Sequence, residues 1–312
     1  MRSTVLAILI IGIASGGALG NSEQDAKQEP SPQDAQTQRE VQRARFLANL
    51  PPGFQVPPES DLVGIRLLEY YGAVFVARGG ATPPPVLIFA DEDAVANWQA
   101  SLMAGKTTIN KTMVELQSVA LAAFTAARAE AQASKLDITP RGADAAKRDY
   151  QDTVRLWKSR VNSGLDHWVA AGWLRDDVAR HIRHLPAAEQ VSEILHLEGR
   201  GLFFGGNFSR TILSSISPPG ASQHISMLAL DINEYEDATV RAILAKHGWY
   251  QTVLLDTPHF TYLGVSESEL PALGLHKVIL VRREYWIPDL EIPIDKLLGG
   301  PTRGTPTGRR NN

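Results

Sequence analysis

No cysteine occurs anywhere in the chain. A fold built from it has no disulfide to restrict the unfolded state and no thiolate to grip a structural zinc, so a hydrophobic core must hold it together. The same absence removes a cysteine nucleophile and a lipid-modified cysteine at a processing site. Apolar residues make up 44% of the sequence, enough for such a core.

Residues 1–20 read as an export signal. Arg2 gives the positive start, Val5 to Ala14 an unbroken apolar run, and Ala18 to Gly20 the cleavage region. Ten helical residues span about 15 Å, half of a bilayer's hydrocarbon core, so membrane contact is expected only in transit. Export without cysteine suits a bacterial envelope, placing the mature protein in the periplasm or outside the cell. Loss of Arg2 takes the formal charge from −3 to −4. A nucleic-acid binder needs a basic surplus instead, so neither nucleic acid nor nucleotide is expected as a partner.

Residues 21–44 are rich in Gln, Asp and Pro, cannot offset their ordering entropy by burial, and read as a disordered tether. Residues 291–312 read as a flexible tail. Between them, 45–108 form an accessory region and 109–290 the main domain. The patterns predict strands at 72–78 and 86–91, a helix over 92–103 and a long amphipathic helix over 112–134. A short strand at 135–140 and helices at 143–160, 164–172 and 186–197 follow. The run closes with a helix near 236–247 and strands at 248–256, 259–264 and 277–283. Helices precede strands rather than alternating with them, which predicts an α+β fold with an antiparallel sheet flanked by helices.

The chemistry concentrates in Ser222-Gln-His224-Ile-Ser-Met-Leu-Ala229-Leu-Asp231 and Asp256-Thr-Pro-His259. Two imidazoles and a carboxylate form a ligand set that holds Zn²⁺ and leaves a fourth position open for water. His224, Asp231 and His259 are therefore the candidate metal ligands, and Asp256 the candidate general base. Of the other histidines, His181 and His184 stand three apart but beside Arg180 and Arg183, whose charges repel a cation. His167, His196, His247 and His276 are isolated.

These motifs resemble the VanY-like D-alanyl-D-alanine metallopeptidases, whose superfamily includes the hedgehog domain and lysostaphin-type endopeptidases. The family pattern S-x-H-x-x-G-x-A-x-D is met at Ser222, His224, Ala229 and Asp231, after a Pro218-Pro219-Gly220 turn, and the family's E-x-x-H at Asp256 and His259. The resemblance covers roughly 110–265. It implies the hedgehog/D-Ala-D-Ala-peptidase fold, a Zn²⁺ cofactor, a peptidoglycan stem peptide as partner, and hydrolysis of D-Ala-D-Ala or a related bond. Ser222 would touch substrate or orient His224, and either Arg148 or Arg141 would hold the substrate carboxylate. A non-catalytic peptidoglycan-binding homologue and a cross-bridge endopeptidase or amidase share the same scaffold.

The sequence departs from the family at three points. Met227 replaces Gly where the chain must bend, because an odd separation puts His224 and Asp231 on opposite faces of a straight strand. It must bend at negative φ or accept strain. Asp256 replaces Glu, and the shorter side chain requires closer backbone approach. The segment between Asp231 and His259 is also short for the family.

Overall fold

The computed structural model describes residues 32–290; the expected export signal and flexible tail, with residues 21–31, lie outside these. Helix α1 (Pro32–Asn49) occupies much of what reads as a tether. Its Gln, Arg, Glu and Ala residues are good helix formers, and its last turns are anchored by the fully buried Phe46. Helix α2 (Leu62–Tyr71) follows, capped by Asp61, whose carboxylate accepts from the Gly64 N–H at 2.9 Å.

Neither strand expected at 72–91 forms. Gly72–Val76 is a buried 3₁₀ turn, and 86–91 meets a later segment through one backbone bond, from Phe89 N to the Gly220 carbonyl at 3.0 Å. A continuous apolar run has no periodicity to separate strand from helix. Helix α3 (Glu92–Ala100) lies where the sequence places it.

The stretch expected as one helix over 112–134 splits. Strands β1 (Ala104–Ile109) and β2 (Thr112–Gln117) form an antiparallel hairpin, and helix α4 (Ser118–Ala133) begins only afterwards. Asn110 and Lys111 both adopt positive φ, 48° and 69°, which gives the two-residue turn a twist that hairpins accept. Val114 and Leu116 are buried on alternation, yet Leu116 also falls on the helical spacing of Ala120, Phe124, Ala127 and Ala131. That coincidence hid the strand. The boundary drawn at residue 109 falls inside this hairpin.

Residues 135–140 run beside the later sheet without joining a ladder; Pro140 bridges Ile232 alone. Helix α5 (Tyr150–Ala170) starts later than expected because Asp149 and Asp152 form a reciprocal capping box, and it continues through the gap left at 161–163. Helices α6 (Asp176–Arg183) and α7 (Ala187–Gly199) pack beside it.

The central sheet has strands β3 (Ala229–Asp231), β4 (Trp249–Tyr250) and β5 (His259–Tyr262) in the order β3-β5-β4, all antiparallel, with helix α8 (Ala238–Lys246) between β3 and β4. The strand expected over 248–256 pairs only at its first residues. Strands β6 (Leu275–Leu280) and β7 (Arg283–Pro288) form a second hairpin. The class is α+β with small antiparallel sheets.

One core joins Phe46, Leu68 and Phe75 to Phe124, Leu230 and Trp249, so residues before 109 share it with the sheet. A second core sits among α5, α6 and α7 around Trp157 and Phe204. Burying a side chain such as Phe124 contributes about 1.5–3 kcal/mol. Among the described residues, no helix is long and apolar enough to cross a membrane.

Candidate metal centre

Antiparallel register sets the first two donors. Asp231 at the end of β3 lies directly opposite His259 at the start of β5, so their side chains leave the same face of the sheet. The third donor, His224, comes from a short 3₁₀ turn over Gln223–Ser226. The chain then reverses at Met227, which takes the left-handed conformation at φ 54°, ψ 27°. Of the two routes open to Met227, the protein uses the strained one, at a cost of about 1–2 kcal/mol. The strain is held by packing: the Met227 side chain is buried, its carbonyl accepts from Gln117 N at 3.0 Å, and Gln117 Nε2 donates to the Ser226 carbonyl at 2.8 Å.

The three donor atoms form a nearly equilateral triangle. His224 Nε2 lies 3.1 Å from His259 Nδ1 and 3.3 Å from Asp231 Oδ1, and the last two are 3.2 Å apart. Around a tetrahedral ion with bonds of about 2.0–2.1 Å, two ligand atoms are separated by roughly 1.6 bond lengths, about 3.3 Å. The triangle has the size of one face of that tetrahedron. Among the described residues this is the group of His, Asp and Glu side chains close enough to share an ion.

Hydrogen bonds around the triangle decide which atoms carry protons. His224 Nδ1 donates to the Ala146 carbonyl at 2.7 Å, so the neutral ring presents the bare Nε2. Gln223 Nε2 donates to the Tyr71 carbonyl at 2.9 Å, which makes its Oε1 an acceptor. His259 Nε2 donates to that oxygen at 2.8 Å and presents the bare Nδ1. Burial first, and then the charge of Arg148, push the His224 imidazole down to about 4, which keeps it neutral. Arg148 Nη2, donating to Asp231 Oδ2 at 2.9 Å, favours the ionised carboxylate. Three lone pairs thus face one another with no proton between them. That arrangement is repulsive unless a cation answers it, and its donor set suits zinc.

The substrate candidates separate. Arg148 Nη2 donates to Asp231 Oδ2 at 2.9 Å and its Nε to the Asp144 carbonyl at 3.1 Å, so this arginine orients the ligand carboxylate. Its Nη1 makes no hydrogen bond among the described residues. The Arg141 side chain is exposed and lies 5.3 Å from the centre of the Tyr235 ring; its backbone N–H donates to the Asp231 carbonyl at 2.8 Å. The Ser222 hydroxyl accepts from the His224 N–H at 3.3 Å and caps the 3₁₀ turn. His184 commits Nδ1 to the Arg180 carbonyl.

Asp256 sits in the turn after β4, where Leu255 takes φ 65°. Its carboxylate accepts no hydrogen bond among the described residues. Burial and then the negative Asp231 raise its pKa to about 7, against the opposing influence of His259, Arg148 and Arg210. A carboxyl poised near neutrality beside a cation site is suited to proton transfer.

Gln223 is the residue that sequence reasoning missed. It occupies an unconstrained position of the motif, yet it fixes the His259 tautomer and also accepts from Thr261 Oγ1 at 2.5 Å. Arg210 and Tyr285 were also unmarked. Arg210 Nε is buried without a hydrogen-bond partner among the described residues, and Arg210 and Tyr285 both interact electrostatically with Asp256. No protein-family model matches the chain, and comparison with curated proteins and with solved structures finds no match either.

Proposed function

We propose that the protein is an exported zinc-dependent peptidase of the bacterial envelope, periplasmic or secreted, that hydrolyses D-Ala-D-Ala or a related bond in peptidoglycan stem peptides. The observation that carries the hydrolase reading is the convergence of three unprotonated acceptors at tetrahedral spacing beside a half-buried carboxyl. The choice of peptide rests on the motif resemblance.

His224, Asp231 and His259 would hold the ion, which supplies Lewis acidity towards a carbonyl and lowers the pKa of a water molecule towards about 7. Asp256 would accept a proton from a water molecule as its oxygen adds to the scissile carbonyl, and would return it to the amine as the C–N bond breaks. Its raised pKa serves both halves, because a group near neutrality accepts and releases a proton at small cost. Arg148 keeps Asp231 aligned through Oδ2, leaving Nη1 for a substrate oxygen. Gln223 and the Ala146 carbonyl hold the two rings in the tautomers that face the ion.

The test is incubation of the purified protein with muropeptides, with and without a chelator, alongside elemental analysis. About one zinc per chain and chelator-sensitive release of free D-Ala are expected. Sacculus solubilisation without D-Ala release would move the reading to an endopeptidase or amidase. Sacculus binding without cleavage would make the protein a non-catalytic homologue, and failure to retain any divalent metal after reconstitution would sink the centre itself.

A further inference from the structure

Residues alternate sides along β5, so Phe260 faces away from His259. On that far side a cavity of about 310 Å³ lies between α8, β4 and the β6–β7 hairpin. Trp249, Phe260 and Trp286 give it apolar walls, and Arg241, Arg282 and Arg283 border it. Arg241 Nη1 and Arg283 Nη1 both donate to the Tyr235 carbonyl at 2.9 Å, so two guanidinium groups crowd one oxygen. Glu236 pairs with Arg283. Arg282, at φ 60° in the hairpin turn, has no ion pair among the described residues. The two acids on the cavity wall, Glu267 and Glu284, are both bound by Lys277, at 2.6 and 2.7 Å. Trp249 is fully buried, yet its indole Nε1 has no acceptor among the described residues.

Three arginines therefore meet two acids, both shared with Lys277, around a small, partly apolar space. Burial and the neighbouring Arg283 also disfavour the charge on Arg241, a cost that a bound anion would relieve. The volume suits a small molecule, not a polymer segment. We propose that this cavity binds a small organic anion, a carboxylate on a flat apolar body. Its carboxylate accepts from Arg241 and Arg282, and its body packs on Phe260 and Trp286. The proposal is independent of the metal centre, since it uses none of the three donors.

Benzoate is the probe, with benzyl alcohol as its neutral counterpart and inorganic phosphate as an anion lacking an apolar body, each titrated into the full chain at constant ionic strength. Calorimetry should give saturable benzoate binding at millimolar affinity or tighter. The indole N–H resonance of Trp249, assigned by its loss in Trp249→Phe, should shift with occupancy. Benzyl alcohol and phosphate should each bind at least about tenfold more weakly. Arg282→Gln, at an exposed turn, should weaken benzoate about tenfold, as expected for loss of a charge-assisted hydrogen bond, with an unchanged melting temperature, and Arg241→Gln should weaken it at least as much. Equal binding of benzoate and benzyl alcohol, equal binding of phosphate, no saturable binding, or indifference of both the indole signal and the Arg282→Gln variant would each overturn the proposal.

Discussion

The two faces of β5 are opposites in what they lack. On one, His259 and Thr261 join Gln223, His224 and Asp231 in a network whose donors are all engaged, and three acceptors are left pointing inward. On the other, Phe260 and Trp249 border a space where three arginines outnumber two acids. A surplus of lone pairs calls for a cation, and a surplus of N–H groups for an anion. One short strand, through alternation alone, separates two environments of opposite sign.

The largest effect should come from removing a donor on the first face. His224→Ala should take zinc from about one per chain towards zero in elemental analysis, and hydrolysis with it, while Phe260→Leu on the opposite face should leave the metal in place. Next, Asp256→Asn should lower kcat by about 10²–10⁴-fold with zinc retained, the usual range for a lost general base. Unchanged turnover would remove Asp256 from the mechanism.

Asp256 also fixes the sign of the pH dependence. It must be ionised to act, so kcat/KM should rise with pH, with a midpoint at or below about 7 because a bound cation favours the carboxylate. In metal-free protein the raised pKa means that the folded state holds this proton more tightly than the unfolded chain. Its stabilising contribution is present below the unfolded value of 3.8 and is lost as pH climbs to about 7. Melting temperatures of the apo protein across that window should show the loss, and Asp256→Asn should flatten it.

Smaller effects test the supports. Gln223→Leu removes the acceptor that fixes the His259 tautomer and should weaken zinc by about 10–100-fold in a competition titration. Met227→Gly asks which force wins at the bend. Glycine would release about 1–2 kcal/mol of left-handed strain, but deleting a buried Met side chain costs about 2–5 kcal/mol. Packing should dominate, leaving a net loss of about 1–3 kcal/mol by chemical denaturation; a more stable glycine variant would show that strain governs the position.

Legibility followed the range of the forces involved. Helices α3, α7 and α8 and strand β5 could be read from sequence because caps and periodicity act over a few neighbours. The β1–β2 hairpin could not, since Leu116 fits two periods at once and the Asn110–Lys111 turn carries no glycine. Residues 135–140 look like a strand but find no ladder partner beyond Ile232. At the site, the three converging side chains were legible because a cation site demands particular residue types. The work of Arg148 was not, as nothing local says that residue 148 will meet residue 231.

The sequence by itself determined the chemistry available: two imidazoles, two carboxylates, no thiol, and a bend required between His224 and Asp231. Tertiary structure alone decided that the bend is a strained Met227, that the Ala146 carbonyl and Gln223 set the ring tautomers, and that Arg148 serves the ligand carboxylate. The reason is physical. Residue identity fixes which atoms can donate or accept, whereas protonation and orientation depend on partners brought from far along the chain.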